Sequence, residues 1–84
     1  MFETRKVNLF IRFIGTNEPI YKTEHCTGET TIKQLIKQSG LTTKAAKIHI
    51  EGKIINEKEY ELPLNNFKSS GVVFMSIIYG EGVN

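Results

Sequence analysis

The stretch Gly71-Val-Val-Phe-Met-Ser-Ile-Ile-Tyr79 is a long apolar run near the end of the chain. Residues 72–79 are mainly β-branched or aromatic, which is typical of a buried β-strand. The run is long enough to lie in the middle of a sheet. The residues that follow, Gly80-Glu81-Gly82-Val83-Asn84, are then predicted to leave the domain as a flexible tail.

Composition predicts one small globular domain. The chain has 84 residues, of which 39% are hydrophobic and 24% are charged. This balance is typical of a folded protein, although the length is near the lower limit for a core that folds unaided. Eleven basic and nine acidic residues give a net charge of +2, and the basic residues are scattered along the sequence. We therefore expect no nucleic-acid partner.

Two sequence features bear on the location of the protein. No apolar run approaches the roughly 20 residues of a membrane span, and no signal peptide is visible after Met1. Cys26 is the single cysteine, so it has no internal disulfide partner. These features predict a cytoplasmic protein in a reducing environment, without a membrane partner.

The N-terminal third predicts a β-hairpin. From residue 7 to residue 14 polar and apolar residues alternate, with one face made of Val7, Leu9, Ile11 and Phe13 and the other of Asn8, Phe10, Arg12 and Ile14. Residues 15–19 are rich in turn formers, so residues 20–26 are the predicted return strand. The pattern leaves open which side of that strand faces the core, because Tyr21, Thr23 and His25 compete with Ile20, Lys22 and Cys26.

The middle of the chain predicts one short helix. Thr31-Ile-Lys-Gln34 has the spacing of a capping box, and Ser39-Gly40 supplies a glycine where helices commonly stop. Residues 47–51 then alternate with Ile48 and Ile50 on one face and His49 on the other. We expect a brief strand at 54–55, solvated surface at 57–61 and a compact turn at 62–67.

The order of these elements predicts an α+β fold. A hairpin, a crossover helix and further pairing strands are expected to form a mixed sheet with the helix packed on one face. The first and last strands are the most apolar, so they are predicted to pair in parallel at the centre. We divide the chain into an N-terminal arm (1–6), a domain (7–79) and a tail (80–84).

At residue level this pattern resembles ubiquitin and its β-grasp family. Val7-Asn-Leu-Phe-Ile-Arg12 is similar to the opening strand of ubiquitin, Thr31-Ile32 to the start of its helix, and Ile48-His-Ile-Glu-Gly-Lys53 to its Leu-Ile-Phe-Ala-Gly-Lys segment. From Gly52 to Gly82 the two sequences can be laid together without a gap. Glu81-Gly82 then falls on the terminal diglycine, and His49 and Ser76 replace residues of ubiquitin's aliphatic recognition patch.

The resemblance implies a divergent ubiquitin-like protein modifier. Gly82 would be the conjugated residue after a processing peptidase removes Val83-Asn84, and Gly80 would make the tail flexible. A glycine beside the reacting carboxylate suits the narrow clefts of activating and transfer enzymes, since it has no Cβ. Glu81 replaces the first glycine of the pair. An inert tail is the alternative, and a bacterial or phage-defence conjugation system is the expected setting.

Two further sites are predicted outside the tail. Lys53 occupies the place of ubiquitin's best-known chain-forming lysine, although the alternative, an ordinary solvated turn lysine, is favoured. Phe10, Phe74 and Ile78 should share an outward sheet face, with His49 and Arg12 at its rim. That face could contact an activating enzyme, another protein or a second copy, which allows a monomer or a weak homodimer. The alternative is a set of scattered surface apolar residues.

No catalytic or metal site is predicted. Cys26 could be a nucleophile only with a base beside it, and His25 points to the opposite strand face. Two histidines and one cysteine have no metal-ligand spacing, and the glycines form no phosphate-binding pattern. We therefore expect a protein that is not an enzyme and has no cofactor.

Two other functions share this fold class. One is a non-covalent ubiquitin-fold interaction or scaffold module, which would use the outward sheet face and not the tail. The other is a sulfur carrier of the thiamin or molybdopterin type. Such carriers end in an exposed diglycine, and Glu81 and Val83-Asn84 differ from that pattern.

Overall fold

The computed structural model describes residues 3–16 and 18–80. In these ranges five strands form one mixed sheet, and a single α-helix packs on it. The strands are β1 (Thr4–Phe13), β2 (Ile20–Thr27), β3 (Ala46–Ile50), β4 (Lys53–Ile54) and β5 (Val73–Tyr79), and the helix is α1 (Ile32–Gln38). Two short 3₁₀ helices, Glu57–Glu61 and Leu64–Asn66, lie between β4 and β5.

The sheet has the order β2-β1-β5-β3-β4. Strands β1 and β5 run parallel from the Val7–Val73 pair to the Phe13–Tyr79 pair, whereas the other neighbours are antiparallel. The predicted parallel pairing of the first and last strands at the centre is confirmed. The architecture is a small α+β fold with a mixed sheet, and it is compatible with a β-grasp fold.

The hydrophobic core lies between α1 and one face of the sheet. Every second residue of β5 is buried there, namely Val73, Met75, Ile77 and Tyr79. Alternate residues of β1 and β3 join them, together with Ile32, Leu35 and Ile36 of α1. The alternation in the sequence therefore predicted the inward face of three strands, because successive side chains of a strand point to opposite faces.

Helix α1 is capped at both ends as the sequence predicts. The Thr31 hydroxyl accepts a hydrogen bond from the Gln34 amide at 3.1 Å, and the Gln34 side chain accepts one from the Thr31 amide at 3.0 Å. At the other end Gly40 has φ +78°, and the Leu41 amide bonds the Ile36 carbonyl at 3.0 Å. This is a Schellman ending, which needs a left-handed residue at the glycine position.

The register of β2 decides which of its faces is inward. Leu9 pairs with Lys22 and Val7 pairs with Glu24, so these polar residues lie on the side of β2 that faces α1, where Lys22 is still exposed and Glu24 is half-buried. Lys22 Nζ donates to the Ser39 carbonyl at 2.9 Å, and Gln38 Nε2 donates to Glu24 Oε1 at 3.0 Å. The C-terminal end of α1 thus provides hydrogen-bond partners for the lysine and the glutamate on this side of β2. These bonds reduce the cost of placing polar groups there.

Several element bounds differ from the sequence prediction. Strand β1 begins at Thr4, three residues before the expected start, so residues 4–6 of the predicted arm belong to the sheet. Strand β4 begins one residue early, at Lys53. Residues 57–61, predicted as solvated surface, form a 3₁₀ helix capped by the Asn56 side chain.

Candidate functional site

The face of the sheet that points away from α1, which we call the outer face, brings together most of the predicted patch. Phe10 lies opposite Tyr21 and beside Ser76. Ser76 in turn lies opposite His49. These contacts follow from the strand register, since directly paired residues share one face of a sheet.

A concave depression of about 700 Å³ occupies the centre of the outer face. Its lining includes Phe10, Tyr21, His49, Phe74, Ser76 and Ile78. Four of the five predicted patch residues therefore line one depression. Arg12, the fifth, is exposed and lies on the same face beside Ile78, but it is outside the lining.

Three aromatic side chains on neighbouring strands dominate this depression. The Phe10 and Tyr21 rings pack edge to face, with centroids 5.5 Å apart and an interplanar angle of 70°. Tyr21 is 75% exposed and Phe74 is 57% exposed. Exposed aromatic rings of this size are the kind of side chain that anchors protein contacts.

Tyr21 was not among the predicted patch residues. The sequence left the outward face of β2 open, because its inward residues, Lys22 and Glu24, are as polar as its outward ones. One signal could have predicted that Tyr21 belongs to the patch. It is the cross-strand pairing of Tyr21 with Phe10 in the hairpin. It required knowledge of the hairpin register, which the local pattern does not contain.

His49 is partly buried between the neighbouring strands, with Ser76 on one side and Ile54 on the other. Its Nδ1 atom is buried and has no hydrogen-bond partner within the described residues. A buried polar atom without a partner costs stability. The imidazole lines the depression, but its buried Nδ1 atom is not accessible to a molecule bound there.

Lys53 lies in a different place from the patch. It is exposed, and it pairs with the inward residue Ile50 at the edge of the sheet. Its register position therefore belongs to the side opposite the outer face. The structure does not bring Lys53 together with the other predicted site residues.

The base of the tail is held by the sheet. The Gly80 amide bonds the Ala45 carbonyl at 3.2 Å, and the Ile14 amide bonds the Tyr79 carbonyl at 3.0 Å. Gly80 has φ +90°, a conformation that favours glycine. Glu81 and Gly82, the other predicted tail residues, lie outside the described residues.

Cys26 packs against the core from β2 and is partly buried. Burial raises the pKa of its thiol, against the opposing effects of a hydrogen bond with the Thr30 side chain and the Arg5 charge. A raised pKa lowers the thiolate fraction, so the environment does not activate this thiol. His25 lies on the other face of β2, as predicted.

Arg5 is a buried charged residue that the sequence placed in the N-terminal arm. It is 2% exposed, and its Nη1 donates to Asn65 Oδ1 at 2.7 Å. Its Nε and Nη2 both donate to the Gly71 carbonyl, at 3.2 and 3.1 Å. These bonds tie the start of the chain to the segment that precedes β5, so the role of Arg5 is structural.

Known proteins add no family assignment to this geometry. No protein-family model matches the chain, and no curated protein matches it significantly.

Among the described residues there is no group of three or more potential metal ligands, and no helix there has the length and hydropathy needed to cross a membrane. The chemistry that the outer face offers is apolar contact area together with hydroxyl, amide, imidazole and cationic groups.

Proposed function

We propose that this chain is a ubiquitin-like protein modifier of the β-grasp class, acting in the cytoplasm and conjugated to targets through Gly82. The observation that supports it is the position of β5. This strand pairs with both β1 and β3 up to Tyr79, so the tail begins at a fixed point at the end of the two central strands. A tail that starts from a rigid base can be presented to a partner enzyme in one orientation.

The proposed chemistry is acyl transfer by partner enzymes. After cleavage beyond Gly82, its carboxylate attacks the α-phosphate of ATP, forming an acyl adenylate and releasing pyrophosphate. A partner cysteine thiolate then attacks the carbonyl and displaces AMP, which leaves a thioester. A target amine finally displaces that thiolate, forming an amide and returning the cysteine. The chain contributes the glycine carbonyl and the docking surface.

Intact-mass analysis after co-expression with the neighbouring genes tests this proposal. We expect loss of Val83-Asn84 and adducts whose mass fits an amide bond through Gly82. Gly82→Glu should abolish the adducts, because a side chain at that position blocks a narrow cleft. Lys33→Glu on the exposed side of α1 is the control and should leave them unchanged. A chain that keeps residues 83–84 and forms no adduct would contradict conjugation.

The outer face favours a second candidate, a non-covalent interaction module. A contiguous apolar depression that includes two largely exposed aromatic rings is characteristic of a protein contact site. This function predicts that deleting residues 81–84 leaves partner binding intact, whereas Phe10→Ala or Phe74→Glu abolishes it. Measuring the binding of each variant to the products of neighbouring genes separates the two candidates, because conjugation needs the tail and simple docking does not.

A further inference from the structure

We infer that the outer face binds an acidic segment of a partner protein, with a large apolar side chain of that segment seated in the central depression. The inference rests on the protein recognition that both proposed functions include, and it names the chemistry of the partner. It does not depend on the tail. The evidence is the combination of an apolar centre and an uneven distribution of charge on this face.

The apolar centre sets the first requirement for the partner. The depression of about 700 Å³ is lined by Phe10, Phe74 and Ile78, and it is large enough to hold an aromatic or large aliphatic side chain. Two of the polar residues in its lining, Ser76 and His49, lie beside each other and can bond the backbone of a bound segment. Burial of an apolar side chain there would supply most of the binding free energy.

The charges on the outer face set the second requirement. Along β1 from residue 6 the outward residues are Lys6, Asn8, Phe10 and Arg12, so basic residues lie on both sides of the phenylalanine. Lys47 of β3, opposite Ile78, is a further basic residue on this face. Lys6 and Arg12 are exposed and about 20 Å apart along the strand. This span corresponds to about six residues of an extended segment.

No Asp or Glu occupies an outward strand position on the outer face in the described ranges 3–16 and 18–80. One carboxylate, that of Glu51, lies beside Phe74, and it is already paired with Lys68. Glu24 lies on the side of β2 that faces α1. The outer face therefore has cations without compensating carboxylates on its strands, and electrostatic complementarity selects an acidic partner.

A second copy of the chain is a poor occupant of this face. In a two-fold symmetric contact each patch meets its own copy. Lys6 and Arg12 of one protomer would then face the same basic surface of the other, without carboxylates on these strands to neutralise them. Like charges brought together at an interface disfavour the contact, so the charge pattern argues against a self-dimer through the outer face.

A single-stranded nucleic acid fits less well than a protein segment. Binding to a phosphate backbone depends on many cations in a continuous groove, whereas the outward strand positions in the described ranges hold Lys6, Arg12 and Lys47, with Lys6 about 20 Å from Arg12 along the strand. Phe10 is also engaged in an edge-to-face contact with Tyr21, and aliphatic Ile78 is part of the lining. The apolar contact therefore dominates, and the cations determine the preferred sign of the partner's charge.

Peptide selection without a preset ligand tests this inference. A display library of random peptides of about twelve residues is selected against the full chain and against the Lys6→Glu/Arg12→Glu variant. We expect the wild-type peptides to combine one large apolar residue with flanking Asp and Glu, and the variant to select basic flanks instead. A selected acidic peptide should bind the charge-reversed variant about tenfold more weakly, since each lost pair becomes a repulsion.

Two further variants complete the test, one in the depression and one charge-matched control on α1. Phe74→Ser should weaken the binding of the selected peptide by about tenfold or more. When the peptide binds the wild type, amide chemical-shift changes should be confined to β1, β2, β3 and β5. Lys33→Glu/Lys37→Glu on α1 makes the same change in net charge and should leave binding intact. Thermal unfolding of each variant checks that the fold is retained.

Three results would overturn the inference. They are peptides without a charge preference, binding that survives both outer-face variants, and selective binding of an oligothymidine of about twelve nucleotides in place of any peptide. Conjugation through Gly82 is measured separately by intact mass. A failure of one experiment therefore leaves the result of the other standing.

Discussion

At the residue scale, Arg5 shows how one buried charge can join distant parts of a chain. Its guanidinium donates to neutral oxygens of Gly71 and Asn65. Asn65 in turn lies against Gly28, where an added Cβ would overlap the Asn65 amide group. A buried charge is tolerated only when it is well hydrogen-bonded, and these contacts meet that condition while requiring a glycine at position 28.

Replacing Arg5 with methionine should destabilise the protein by about 2 kcal/mol, since it removes hydrogen bonds from a charged donor. The Gly71 carbonyl and the Asn65 side chain, both on exposed residues, can regain only bonds to water. Urea unfolding followed by circular dichroism measures the loss. Lys6→Met, at the exposed neighbouring position, is the control and should change stability by less than about 0.5 kcal/mol. Equal stabilities for the two variants would contradict the structural role of Arg5.

At the element scale, the contacts of Glu51 link the turn after β3 to the start of β5. Glu51 has φ +52°, and its carboxylate accepts a hydrogen bond from the Phe74 amide at 2.8 Å. That backbone hydrogen bond, outweighing partial desolvation and helped by Lys68, lowers the pKa of the Glu51 carboxyl below its ordinary value. The folded state therefore favours the ionised carboxylate.

The lowered pKa predicts a pH dependence of stability with a definite sign. A carboxyl whose pKa is lower in the folded state stabilises the fold when ionised, and this contribution is lost as the pH falls from about 5 towards 3. Glu51→Gln should flatten the stability profile over that range. Lys68→Met should retain most of the slope, because the Phe74 amide is the larger cause. Urea unfolding at a series of pH values measures both, and a Glu51→Gln profile parallel to the wild type would refute the linkage.

At the scale of the whole molecule, the parallel pairing of β1 and β5 joins the two ends of the described chain. These strands are the central pair of the sheet, covered by neighbours on both sides. By contrast, β4 has two residues and lies at the edge. Opening the centre requires the loss of most of the core, whereas the edge can open locally.

Hydrogen exchange should follow this arrangement. Hydrogen-bonded amides in the middle of β1 and β5 are expected to exchange at least about a hundredfold more slowly than those of β4, because only global unfolding exposes them. Amide exchange followed by NMR provides the measurement. The internal reference is β3, which lies between them and should show intermediate protection. Protection of β4 equal to that of β5 would contradict a fold organised around the central pair.

Much of the fold could be predicted because its signals are local. The alternation of β1, β3 and β5 and the capping box of α1 each depend on residues close in sequence. Arg5 and β2 lacked such a signal. The partners of Arg5 lie more than 50 residues away, and the inward side of β2 depends on the end of α1. The candidate site followed the same rule: Phe10, Phe74, Ile78 and His49 were predicted from alternation, whereas Tyr21 required the hairpin register.

The sequence by itself determined the order of the elements, the inward faces of the central strands and the ends of the helix, because hydrophobic periodicity and capping act over a few residues. Only the tertiary structure decided that cations and aromatic rings from different strands share one face, that no acidic residue occupies an outward strand position there in the described ranges, and that Arg5 is buried. Those properties depend on strand register and on contacts between distant segments, which no local pattern contains.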